Sequence, residues 1–192
     1  PEIYSLDPIS ALYIWNGGLG ILGGLFGGVF SLWVYYKLKI ENCKLKITAN
    51  SFFDLAVFGL PLGQAIGRIG NFINQEVYGL PTDLPWGIYI DNKVGRFHPL
   101  FAYEALWMLS GFGLMFLAEK TNKLRWIKKS YTGFYLIWYG IGRFWLDFLR
   151  PAEFVWQLNL TSGITLNMAQ ASSVLMVVLG GLLMIKLNPF VE

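Results

Sequence analysis

Charge, cysteine and histidine are what this sequence has least of. Only 14% of its 192 residues are Asp, Glu, Lys or Arg, too few for the surface of a soluble domain. The single cysteine, Cys43, excludes an intrachain disulfide, and its lysine-rich surroundings offer no metal-ligand set. With one histidine, His98, the chain has no His-Glu-x-x-His, and it has no Ser-His-Asp pattern at a nucleophile elbow. A hydrolase or metalloenzyme is therefore unsupported, and neither a metal nor a cofactor is expected. No charged-then-apolar leader is present, and the chain begins at Pro1, so the true N-terminus is expected to lie upstream. The net charge is only +3 and the basic residues sit in short loops, so nucleic acid is not an expected partner.

What is present is apolar. Hydrophobic residues make up 55% of the chain and aromatics 17%, with 8 Trp, a composition that fits a membrane protein with interfacial aromatic belts. Five apolar runs stand out, at residues 17–36, 51–73, 98–118, 131–149 and 167–185. Each is about 20 residues long, enough to cross a hydrocarbon core of roughly 30 Å. The expectation is one integral membrane domain over residues 1–192: an all-α polytopic bundle of about five spans. In the first run glycines recur at Gly20, Gly24 and Gly28, and at Gly23 and Gly27, a spacing that lets another helix approach closely. Pro61 should kink the second run. Between the second and third runs, residues 86–90 read as a short strand among turn signals. No internal repeat is evident, which weakens an inverted-repeat transporter.

The loops alternate in basic content. Residues 37–50 and 119–130 hold four and five Lys/Arg, whereas 74–97 and 150–166 hold two and one. The positive-inside rule puts the first pair and the C-terminus in the cytoplasm. The second and fourth runs then point outward, and Arg68 lies about 26 Å along its helix, in the outer half. Tyr139, Arg143 and Asp147 are four apart and stack on one face, which Arg150 continues. His98 begins the third run, with Glu104 about 9 Å deeper. Glu76 lies just outside the second run. Asp54 falls near the inner surface, solvated or paired with a loop lysine.

Charges within apolar runs are costly and usually face a partner or a wet cavity. Arg68, Asn71 and Gln75 share a helix face, and a guanidinium beside amides is suited to gripping phosphate. Arg68 reads equally well as a buried arginine locking helix packing. Arg68 and Arg143 are favoured as a lipid-phosphate site, whereas Glu104 and Asp147 read better as parts of an ion network holding the bundle. His98 alone is more often a hydrogen-bonded interfacial residue than a general base.

Residues 67–79 read Gly-Arg-Ile-Gly-Asn-Phe-Ile-Asn-Gln-Glu-Val-Tyr-Gly. They resemble the Gly-Arg-x-Gly-Asn-Phe-x-Asn-x-Glu-x-x-Gly signature of prolipoprotein diacylglyceryl transferases. The likeness extends to Trp15 with Gly17, Gly18 and Leu19, to Arg96, His98, Pro99, Tyr103 and Glu104, and to Tyr139, Gly140, Arg143, Phe144, Arg150 and Pro151. Ser162, Gly163, Ile164, Thr165, Met168 and Gln170 resemble the family's closing segment. The resemblance covers essentially the whole chain.

It implies transfer of the diacylglyceryl group of phosphatidylglycerol to the lipobox cysteine thiol of a prolipoprotein signal peptide, releasing glycerol phosphate. The setting would be the bacterial plasma (inner) membrane, with the site facing the outer leaflet. Arg68 would bind the lipid headgroup with Asn71 and Asn74, and Gly79, His98 and Glu104 would also lie on the substrate side. Arg143 would contact phosphate or leaving group, Tyr139 would support it, and Glu76 would orient Arg68 or the loop. Two departures stand out. Leu22 occupies a position where many members have histidine, and Asp147 stands where glutamate is usual. The family has about seven spans, so two are expected to be missing here. A non-catalytic lipid-binding or channel-like membrane protein is the competing reading.

Overall fold

A computed structural model describes residues 21–40, 49–121, 124–155, 157–159 and 165–186. At 21–26, 29, 39, 40, 49, 50, 159 and 165 only the backbone is described. The Trp15–Leu19 stretch, Cys43, the side chain of Leu22 and residues 162–164 lie outside that description. The chain divides into two compact units, residues 1–52 and 53–192.

In the first unit, α1 spans Ile21–Tyr35 and runs into a π-helical turn, Tyr36–Ile40. The Phe52 ring lies 6.2 Å from that of Tyr35 and 5.8 Å from that of Tyr36.

The rest of the chain is a helical bundle with two small hairpins. The second apolar run forms α2, Ala49–Phe58, and α3, Leu60–Ile73, separated at Gly59. Pro61 falls in the first turn of α3, where its missing N–H would have had no partner anyway. The third run is α4, Leu100–Lys120, and the last is α6, Met168–Lys186. The stretches Ser51–Ile73, Leu100–Lys120 and Met168–Lys186 are each long and apolar enough to cross a membrane. The fourth run is shorter than expected. Its helix α5 covers Tyr131–Leu146 and continues as a 3-10 turn, Asp147–Leu149, where charged side chains turn inward.

Half-buried Asp54 meets the start of α5. Its Oδ1 accepts hydrogen bonds from the Thr132 N–H at 2.8 Å and hydroxyl at 2.6 Å. It thereby supplements the Ser130 N-cap of α5, whose hydroxyl accepts from the Gly133 N–H at 2.9 Å. An acid there also complements the positive end of the helix. Small-residue packing brings α5 against α6. A Cβ at Gly140 would stand 2.7 Å from the Ser173 carbonyl, and one at Gly180 would stand 2.6 Å from that of Gly133.

Beyond α3 the chain makes β1, Ile88–Tyr89, paired antiparallel with β2, Arg96–Phe97. The expected strand therefore exists, shorter than the predicted stretch. Tyr78, Ile90 and Phe97 form a separate small core there. A second hairpin, unforeseen from sequence, pairs β3, Gln157–Asn159, with β4, Thr165–Asn167.

Candidate functional site

The site is built where α3, α4 and α5 meet, at the end of the bundle that carries the β1–β2 segment. Glu104, one turn into α4, is its hub, only 6% exposed. Its carboxylate pairs with Arg68 of α3. It lies 3.5 Å from Nη1 of Arg143 on α5 and accepts a 2.9 Å hydrogen bond from Nη2 of Arg150. Asp147, 3% exposed, adds contacts of 3.5 Å to Arg143 and 3.6 Å to Arg150, and Asn167 donates to its other oxygen. Three guanidiniums thus face two carboxylates, leaving one positive charge in excess. A buried cluster of this kind is stable only as a set, since removing one member strands the others.

Arg68, Glu104, Tyr139 and Arg143 line one small cavity with Gln64, Trp107, Met108, Gly142 and Leu146. Its free volume of about 20 Å³ has room for a single water. Each of the arginines that line it is paired with a carboxylate. Gln64 and Trp107 were missed by sequence reasoning. Gln64 sits one turn before Arg68, and that spacing could have found it.

Asn71 accepts from Arg68 Nη1 at 2.9 Å and reaches Glu76 at 3.4 Å. Glu76 therefore acts on Arg68 through Asn71 rather than directly. Neither of them, nor Asn74, lines the cavity. Asn74 is the C-cap of α3, its N–H donating to the Gly70 carbonyl at 2.9 Å. The turn that follows is strained, with Gln75 at φ 54° and Val77 at φ 56°. A β-branched residue rarely adopts such a backbone, and strain of this kind clusters at functional sites. The strained turn is pinned by Gln75 Oε1 on the Asp91 N–H at 2.6 Å and by the Val77 carbonyl on the Phe101 N–H at 3.0 Å.

His98 stands apart from the arginines and does not line the cavity. Its Nδ1 lies 3.2 Å from the Tyr103 hydroxyl, which accepts a 2.7 Å hydrogen bond from the Trp86 indole. Gly79 offers no side chain, and its backbone passes directly against His98 and Leu149. Among the described residues, no group of three or more His, Cys, Asp and Glu is arranged to hold a metal ion.

These features define an integral membrane protein whose helices converge on a buried, net-cationic cluster of arginines and carboxylates. The chain belongs to the prolipoprotein diacylglyceryl transferase family, whose model matches residues 3–186. A phosphatidylglycerol–prolipoprotein diacylglyceryl transferase of Prochlorococcus marinus strain MIT 9215 is 42% identical over 71% of this chain and 48% of its own length. Its namesake in Fervidobacterium nodosum is 40% identical over 77% of this chain and 51% of its own. That of Halalkalibacterium halodurans is 37% identical over 95% and 61% respectively. The chain spans about half the length of the first two of these curated relatives.

Proposed function

We propose that this protein transfers the diacylglyceryl group of phosphatidylglycerol to the lipobox cysteine thiol of a prolipoprotein, releasing glycerol phosphate. The observation that carries the reading is the meeting of Arg68 and Arg143 on one carboxylate, Glu104, at one cavity. The partners are those named for the relatives, phosphatidylglycerol and a prolipoprotein. The membrane is the bacterial plasma membrane, with the arginine cluster toward the outer leaflet and the C-terminus in the cytoplasm.

The partner's thiolate attacks the glyceryl carbon that bears the phosphate. A carbon–sulfur bond forms, the carbon–oxygen bond breaks, and the electron pair leaves on phosphate. Arg68 and Arg143 neutralise that charge as it develops, and preorganised cations in a site closed to water do this well. The phosphate enters by exchanging with Glu104 for these guanidiniums. Tyr139, on the same wall as Arg143, supports it there, and Asn71, held by Glu76, steadies Arg68. Losing the thiol proton costs about 2 kcal/mol at neutral pH. Orientation supplies roughly 7–11 kcal/mol, so the arginine site outweighs what a histidine at position 22 would add.

The test is transfer of labelled diacylglyceryl to a lipobox peptide by the complete gene product. Arg143→Ala should reduce transfer by orders of magnitude, and Leu22→His should change it far less. The reverse ranking would remove the chemistry from the arginines. Binding of phosphatidylglycerol with no transfer would favour a non-catalytic lipid-binding protein. For orientation, a cysteine introduced near Lys128 should be shielded from an impermeant thiol reagent in intact cells. Labelling there, with none at Asp91, would invert the topology.

A further inference from the structure

Trp107 of α4 and Trp138 of α5 form a reciprocal clasp beside the cavity. Their rings stack with centroids 4.5 Å apart and 12° between planes. The Trp107 indole N–H donates to the Trp138 carbonyl at 2.8 Å, and the Trp138 indole donates to the Trp107 carbonyl at 2.9 Å. Each of those carbonyls belongs to a helix, where its usual partner is the N–H four residues on. Those residues are Gly111 and Gly142. A Cβ at Gly111 would meet the Trp138 ring at 2.5 Å, and one at Gly142 would run into the Trp107 ring. Each helix therefore opens its backbone to the other's indole with a glycine one turn beyond its own tryptophan.

The contacts run in opposite senses along the two helices, so α4 and α5 are antiparallel. Glu104 meets Arg143, Trp107 meets Trp138 and Gly142, and Gly111 meets Trp138. Trp107 lies one turn from Glu104, and Gly142 is next to Arg143. A sliding or spreading of the clasp would therefore also move Glu104 against Arg143.

We propose that Trp107 and Trp138 are positioning residues of the transferase site, setting the register of α4 against α5 that holds Arg143 beside Glu104, where the phosphate takes the place of that carboxylate. The inference rests on the transferase reading above and adds residues that act through the arginines, Trp107 from the cavity wall itself. Stacked indoles alone would fix distance but allow sliding; the two crossed hydrogen bonds fix the register too.

The experiment measures kcat and KM for phosphatidylglycerol, with a lipobox peptide, for the complete gene product in liposomes. Trp107→Phe and Trp138→Phe each remove one donor and keep an aromatic ring. Each should lower kcat by about tenfold to a hundredfold, as for a small misplacement of a catalytic group, with KM within about threefold. The double variant should be little worse than the worse single one, because the clasp acts as a unit. Trp145→Phe, on a side chain 67% exposed, should leave both constants unchanged. Should a Phe variant fail to fold, benzothienylalanine at position 138 keeps the shape of indole, lacks its N–H, and should lower kcat in the same way. Active wild type with kcat of the Phe or isosteric variants within about twofold of it would overturn the inference alone. So would a fall in activity that only follows the amount of folded protein. No transfer by the wild type would overturn the transferase reading and this inference together.

Discussion

Gly79 and His98 approach so closely that a Cβ on the glycine would stand 2.8 Å from the Cβ of the histidine. The same added carbon would lie 2.8 Å from the Leu149 carbonyl oxygen, which accepts the Leu80 N–H at 2.8 Å. The last glycine of the signature thus sits where the chain after α3 crosses both the start of α4 and the end of α5. Gly79→Ala should destabilise the protein by about 1–3 kcal/mol, through backbone shifts at both contacts. Thermal unfolding in detergent measures this, and residual transfer should track the folded fraction. A variant that melts like wild type yet has lost transfer would instead give Gly79 a direct substrate role.

Glu104→Gln removes the negative charge shared by Arg68, Arg143 and Arg150. The side chains of these arginines keep 13–28% exposure, so the loss belongs near the low end for a broken buried pair, about 3 kcal/mol. The melting temperature should fall, and added phosphatidylglycerol should restore part of it. An unchanged melting temperature would mean that the cluster is held by packing rather than by charge.

Asp54→Ala removes the acceptor at the start of α5 and should cost about 1–2 kcal/mol. Asp54→Asn keeps an acceptor and should cost less. Equal losses in the two variants would show that charge, not hydrogen bonding, is what the helix end requires.

Lys93 and Glu153 link the β1–β2 turn to the chain after α5, with Nζ and Oε1 3.0 Å apart and the Tyr78 hydroxyl donating to the same oxygen at 3.2 Å. The hydrogen bond from Lys93 lowers the Glu153 pKa, and hydrogen bonding to Tyr78 and then Glu153 raises that of Lys93. The Glu153 contribution is present above its unfolded value and is lost as pH falls through the lowered one. The Lys93 contribution is present below its unfolded value and is lost as pH rises through the raised one. Hydrogen-exchange protection of the turn, corrected for intrinsic rates, should fall as the pH drops below 4.5, the ordinary value of a glutamate. Glu153→Gln should abolish that fall; its persistence in the variant would assign it to other groups.

Much of the site could be read from spacing because charges in apolar runs have few places to go. Arg68, Glu104, Tyr139 and Arg143 occur on three runs at matching depth, and the structure brings all four to one cavity. Arg150 was legible only as a continuation of a helix face. Its reach to Glu104 depends on the 3-10 turn at Asp147–Leu149, which side-chain periodicity does not reveal. The role of Asp54 was hidden because its partner Thr132 is 78 residues further on. The clasp did leave a trace, a tryptophan followed four residues later by glycine on two different runs, at Trp107 with Gly111 and Trp138 with Gly142. Only the family resemblance places His98 on the substrate side; in the structure its ring meets Tyr103, in keeping with a hydrogen-bonded residue at the start of α4.

Glu104 also has a consequence for turnover in the transfer proposed above. With a resident carboxylate already paired to the guanidiniums, an arriving phosphate gains only the difference between itself and that carboxylate. In the proposed transfer, the same resident anion would re-pair with the guanidiniums once the bond to phosphate has broken, and would so help expel the product. An arginine site without it would hold the released glycerol phosphate more tightly and run more slowly, limited by departure rather than by chemistry.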